Sequence, residues 1–286
     1  MWACGFFVAR VPGATRPEFS GASALFVVLF ALPSYASLWK WAGARRCLQV
    51  LVILGAFALG IETLAVVTGW PYGGFSYGQS IGAKVAGLVP WSVPFAWTPL
   101  VLGTHALTTR LLNTASSAQG ARATQARAMG ARALAGALAL VMADLVLDPG
   151  AVHQKFWLYD AGGLYYGVPA SNYFGWMLSG FVGHAMLQIL LSTTQPKNRS
   201  SLVCSAGDPN TPEAAGVLPA SSSGPCKGPP AGLAVSLGWT LAFWSSVCAW
   251  AGLWAPALIG HAFLLLLWIV LRPKAHPNPV GSRNRR

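Results

Sequence analysis

Long apolar runs separated by short polar breaks occupy most of the 286-residue chain. Stretches of about 18 or more apolar residues read as helices that span a bilayer. Seven such runs occur: Ser20–Leu38, Leu48–Val67, Val85–Leu111, Ala133–Asp148, Tyr173–Ser192, Leu233–Ala251 and Trp254–Leu271. The fourth is short and needs Met129–Arg132 or Pro149–Val152 to complete a crossing. Pro94, Pro99 and Pro256 fall at or inside runs, where neighbouring helices supply partners for the freed backbone. The predicted fold is all-α, a polytopic integral membrane bundle of about seven helices. Residues 1–19 read as an N-terminal extension and 20–192 as a five-helix block. A polar loop at 193–231 precedes a two-helix hairpin at 232–272 and a basic tail at 273–286.

Composition agrees, with 54% hydrophobic residues, 9% charged and a mean hydropathy of +0.51. Charge then orients the bundle. Of the 19 Lys and Arg, only Arg10, Arg16, Lys84 and Lys155 fall on one side of a seven-span chain. The rest lie in the alternate loops and the tail. That bias predicts an outside N-terminus and a cytoplasmic C-terminus. The net charge of +12 needs no nucleic-acid partner, because the basic face meets anionic lipid headgroups.

Arg10, Arg16 and Glu18 interrupt the first twenty residues, so no signal peptide is expected there. Cys4, Cys47, Cys204, Cys226 and Cys248 show no metal-like spacing, and a Cys204–Cys226 disulfide is not expected in a cytoplasmic loop. Gln195–Pro230 is rich in Ser, Pro and Gly and reads as a disordered linker. The second half of Asn113–Arg132 reads as a basic surface helix.

Only seven acidic residues are present. Glu18, Asp160, Asp208 and Glu213 fall in predicted loops. Glu62, Asp144 and Asp148 fall inside spans or at their ends, where a central carboxylate costs roughly 2.5–3.5 kcal/mol on insertion scales. Asp144 and Asp148 are four residues apart and share a helix face. Glu62 lies in the outward half of its span, so the three are expected to meet at similar depth. Three carboxyls in a low dielectric do not all ionise, and one is expected to hold its proton at neutral pH. That pairs a general acid with a general base. The structural alternative is that Asp148 only ends a helix before Pro149, or that the acids bond neighbouring backbone and polar groups.

Two aromatic, glycine-rich segments follow these acids, "GWPYGGFSYGQSIG" at Gly69–Gly82 and "FWLYDAGGLYYGVPASNYFGW" at Phe156–Trp176. Trp70, Tyr72, Tyr77, Trp91, Trp157, Tyr165, Tyr166, Asn172 and Trp176 are candidates to line a site. An ordinary interfacial aromatic belt is the competing reading. Aromatic faces also attract cations. His105, His184 and His261 share no metal-like spacing and read as structural, His153 is placed to tune Asp148, and His276 is in the tail. No P-loop, GxGxxG or DDxxD-type set is present.

The chain resembles the membrane carotenoid-biosynthesis family of carotenoid 1′,2′-hydratases, CruF-type enzymes and archaeal bisanhydrobacterioruberin hydratases. The resemblance rests on Glu62, on "TGWPYGGFSYGQSIGAKVAGLVPWSVPFAW" at Thr68–Trp97, on "DLVLDP" at Asp144–Pro149, and on the Phe156–Trp176 segment. It covers roughly Leu59–Leu191. The chain departs from the pattern at Gly78, where a hydroxyl residue is expected, and in its longer Gln195–Pro230 insert.

The resemblance implies a hydro-lyase that adds water across the terminal C1–C2 double bond of a linear ψ end group. Protonation at C2 puts positive charge on C1. No metal, redox cofactor or nucleotide is implied. The implied substrate is a lipophilic carotenoid of the lycopene, γ-carotene or bisanhydrobacterioruberin type, met in the cell membrane, with other carotenoid-pathway enzymes as candidate partners. The expected donor is Asp148 or Asp144, with Asp148 favoured as nearer the water-accessible end, and its partner or Glu62 activates water. A carotenoid end-group cyclase and a non-catalytic carotenoid-binding or transport protein remain alternatives. A retinal photoreceptor needs a lysine in the last span, and Trp254–Leu271 has none.

Overall fold

The computed structural model describes residues 1–116, 125–192 and 228–272. Among the described residues it is an all-α bundle of eight helices: α1 (Trp2–Arg10), α2 (Ser20–Ala42), α3 (Ala44–Thr68), α4 (Val93–Ser116), α5 (Gln125–His153), α6 (Ala170–Ser192), α7 (Val235–Ala251) and α8 (Trp254–Leu271). Short 3₁₀ turns at Pro17–Phe19 and Ala231–Ala234 lead into α2 and α7. The predicted linker lies outside the described residues except at its last few positions, as do Cys204, Cys226, Asp208, Glu213 and the basic tail.

Six helices among the described residues are long and apolar enough to cross a membrane, not seven. The exception is α4, at the place of the expected third span. It packs against α2, α3, α5, α6, α7 and α8, so it meets protein on nearly every side. A central helix needs no continuous apolar surface, and Thr98, Thr104, His105 and Thr108 are buried along it. Its start is also corrected. Lys84–Val85 and Val89–Pro90 pair as two short antiparallel strands (β2, β3), and the helix begins only at Val93. The basic half of Asn113–Arg132 is no separate surface helix either. From Gln125 onward it is the first part of α5, which supplies the length the short fourth run lacked.

At its other end α5 continues through Pro149 to His153. Proline carries no N–H and leaves the carbonyl four residues earlier without its helical donor. That carbonyl belongs to Leu145, and the Tyr165 hydroxyl donates to it at 3.1 Å. A loop side chain thus repairs the helix between Asp144 and Asp148.

Lipid tails give little hydrophobic drive for helix association, so close packing of small residues takes over. Helix α6 shows this. Gly175, Ser179 and Gly183 recur every four residues, and all are buried. The Tyr72 ring lies on Gly175, its hydroxyl donates to Ser179 Oγ at 3.0 Å, and the Trp97 ring lies on Gly183. Gly180, on an adjacent face, lets α5 approach through Ala137 and Leu140. Exposed apolar side chains, among them Leu25, Leu29, Val52, Leu258 and Leu265, lie on α2, α3 and α8.

A Cβ at position 183 would overlap the Trp97 ring. Overpacking of this kind costs about 1–3 kcal/mol. Gly183→Val is therefore expected to lower the midpoint of thermal unfolding in detergent, and an unchanged midpoint would count against this packing.

Candidate active site

Three buried carboxyls meet where α3, α5 and α6 converge. Glu62 is 6% exposed, and Asp144 and Asp148 are each 1% exposed. One turn of α5 places the two aspartates within hydrogen-bond reach of each other. Asn172, in the first turn of α6, donates from one Nδ2 to Asp144 Oδ2 at 2.8 Å and to Asp148 Oδ2 at 2.5 Å. Asp144 Oδ1 has no protein partner.

The loops after α3 and α5 close over this cluster as a two-stranded clamp. Phe75–Tyr77 (β1) pairs antiparallel with Trp157–Tyr159 (β4) in the register Phe75↔Tyr159, Ser76↔Leu158 and Tyr77↔Trp157. Alternation along a strand puts Phe75, Tyr77, Trp157 and Tyr159 on one face. From that face Tyr77 Oη donates to Glu62 Oε2 at 2.8 Å, and Tyr159 Oη donates to Asp148 Oδ2 at 2.8 Å. The Trp157 indole adds a donor near Asp148. Among the described residues, the donors to the three carboxyls are neutral side chains. Lys84 supports the clamp from behind, donating to the Tyr77 carbonyl at 2.6 Å.

The glycine at 78 has a steric reason. Its N–H donates to the Phe156 carbonyl at 2.8 Å, and a Cβ there would overlap the Lys155 carbonyl. A side chain at this position would push β1 off β4, so a glycine here accompanies a tight clamp.

A cavity of about 570 Å³ runs from this cluster into the apolar bundle. Glu62, Tyr77, Trp157 and Trp176 form one end. Among the described residues, Glu62 is the one lining side chain that is acidic or basic. Asp144, Asp148 and Asn172 lie behind it and do not line the cavity. Asp144 and Asp148 are equally buried, since α5 continues past Asp148 and the clamp covers it.

The aromatic candidates divide. Tyr77, Trp157 and Trp176 line the cavity, and Tyr72 packs behind Trp176 with ring centroids 6.5 Å apart. Trp70, Trp91 and Tyr166 are exposed and do not line it, and Tyr165 instead serves the Leu145 carbonyl. The histidines hold structural bonds. His184 Nδ1 contacts the Gly180 carbonyl at 2.7 Å and Nε2 the Thr104 hydroxyl at 3.0 Å, and His261 Nδ1 contacts the Ala257 carbonyl. His153 is exposed at the end of α5. Tyr159 was absent from the sequence candidates. Its signal is its place two residues after Trp157, on the same strand face.

Burial, with the Glu62 carboxyl beside it, holds the Tyr77 phenol well above the ordinary tyrosine range. Burial and the two aspartates do the same for Tyr159, and burial and Glu62 for Tyr72. A raised phenol pKa favours the neutral form in the fold. Its stabilisation is complete below the unfolded value of about 10 and is lost as pH rises through the folded value. In an alkaline absorbance titration in detergent, these three phenols should ionise only as the protein unfolds. Native-state ionisation of Tyr77 and Tyr159 near pH 10 would contradict the buried clamp.

The fold and site define a class: a polytopic membrane protein whose buried carboxyl cluster borders an apolar cavity. Residues 21–207 match the family described as "Carotenoid biosynthesis protein", and the chain belongs to that family. It is similar to the bisanhydrobacterioruberin hydratase of Haloarcula japonica, at 43% identity over 139 residues. The match covers 48% of this chain and 43% of that protein, so the chain spans less than half of its relative's length. No solved structure matches the chain.

Proposed function

We propose that the chain is a carotenoid 1,2-hydratase, a multi-pass hydro-lyase of the cell membrane with its acid end toward the outer leaflet. The observation that carries this reading is Glu62, the one carboxyl among the described residues that lines an apolar cavity, with two further carboxyls buried beside it. The substrate is a carotenoid with a linear ψ end group, of the lycopene, γ-carotene or bisanhydrobacterioruberin type.

The chemistry follows from the positions. Glu62 gives its proton to C2 of the terminal double bond, and positive charge develops at C1. The faces of Tyr77, Trp157 and Trp176 stabilise that charge, an interaction worth about 2 kcal/mol or more when desolvated. One water adds to C1, and its proton returns to the Glu62 carboxylate. The sum is alkene plus water to tertiary alcohol, with the acid regenerated. Tyr77 holds one Glu62 oxygen, leaving the other for the exchange. Asp144 and Asp148 face each other as acceptors, and a proton between them relieves their repulsion. In this reading the pair, held by Asn172 and Tyr159, is a proton store that balances the charge on Glu62.

Expression in a host that accumulates lycopene or γ-carotene tests the reading by mass-resolved pigment analysis. A product heavier by one water is expected. Asp144→Asn/Asp148→Asn should leave the protein folded and the pigment unchanged. Glu62→Gln should reduce turnover by about 100- to 10,000-fold, the usual worth of a general acid. An isomer of unchanged mass would instead indicate end-group cyclisation. A fully active aspartate double variant would remove the proton-store role.

A further inference from the structure

The cavity that borders Glu62 is walled in part by segments outside the family match. That match spans residues 21–207. Helix α1 lies before it and α7 after it, yet both form cavity wall. Ala3, Cys4, Phe7 and Val8 project from one side of α1, at helical spacings of three and four. Thr240, Phe243 and Trp244 project from α7. Between them stand Phe26 and Phe30 of α2, whose rings contact Phe243 at centroid distances of 5.2 and 6.0 Å.

Helix α1 is fixed in this position. It packs along α7, where Gly5 leaves no room for a side chain against Ser246, and the Ser246 hydroxyl donates to the Trp2 carbonyl at 3.2 Å. The rings of Trp2 and Phe6 close on Trp250, at 5.6 and 5.0 Å. The other side of the helix is thereby held toward the cavity.

Resting on the hydratase reading, we propose that α1 and α7 form the subsite for the polyene chain of the substrate and so select which carotenoid is hydrated. The cavity supports this assignment by its polarity. Glu62 is its one acidic side chain among the described residues, and apart from a few hydroxyls such as Ser23, Ser236 and Thr240 the remainder is mostly aromatic and aliphatic, as a long conjugated hydrocarbon with a reactive terminus requires. An apolar pocket discriminates by shape, and steric changes in such pockets shift kcat/KM by about 10- to 200-fold.

The test uses the purified full chain in lipid nanodiscs. Two substrates are compared, lycopene and a monoterpene alkene that carries the same trisubstituted terminus without the polyene. Thr240→Trp should lower the lycopene-to-monoterpene ratio of kcat/KM by about 10- to 200-fold. Phe243→Ala, which removes wall instead of adding it, should lower the ratio chiefly through the KM for lycopene. A second readout does not depend on turnover. In a Cys204→Ser/Cys226→Ser background, Cys4 is the exposed thiol, since Cys47 and Cys248 are buried. Lycopene is expected to slow its alkylation by a maleimide several-fold. Unchanged ratios in both variants together with unprotected Cys4 would overturn the subsite. Protection of Cys4 with no water addition by the wild-type chain would support the subsite and overturn the hydratase reading instead.

Discussion

Three carboxyls buried in a membrane bundle must find donors, and most of the architecture around them meets that demand. A charge without partners in the low-dielectric interior is costly. Asn172 answers from the start of α6, Tyr77 and Tyr159 from the strand clamp, and Trp157 from its edge. Each donor is neutral. A lysine or arginine here would fix the carboxylates as anions, whereas phenols and an amide satisfy oxygens without removing the proton. On the proposed reading, the cluster so held still exchanges protons.

The same demand explains why two irregular loops are ordered. Gly69–Gly82 and Phe156–Trp176 lie far apart in the chain. They pair because each carries an aromatic strand whose hydroxyls reach a different acid. Tight pairing requires small residues at the strand ends, and a Cβ on Gly74 or Gly78 would overlap Asp160 or Lys155. Below the clamp, α6 is cut back along its Gly175–Ser179–Gly183 row so that Tyr72 and Trp97 lie against it. Strain on that row would move Asn172 and, through it, both aspartates.

Much of this was legible in the residues. Apolar runs predict helices because the bilayer leaves few alternatives, and acids inside such runs stand out because they are costly. Convergence of Glu62, Asp144 and Asp148 follows from helix periodicity and a shared direction of travel. The remainder depends on tertiary context. Run length cannot foresee that α4 is central and need not be apolar, or that a tyrosine twenty residues after Leu145 lets α5 pass through Pro149. Trp70 and Trp91 carry the same composition as Trp157 and Trp176, and only the fold separates exposed rings from cavity walls. Short strands such as Phe75–Tyr77 give too little alternation to announce a pairing across eighty residues. Helix α1 looked like an extension because nine residues cannot span, yet a wall needs only one side.

The central claim is that a carboxyl in this cluster protonates carbon. Reaction of the purified chain with lycopene in D2O tests it most directly. The account predicts a hydroxylated product with one carbon-bound deuterium at C2, formed by the wild type and not by Glu62→Gln. A hydroxylated product with no deuterium on carbon would mean that oxygen enters by another route, and would contradict the account.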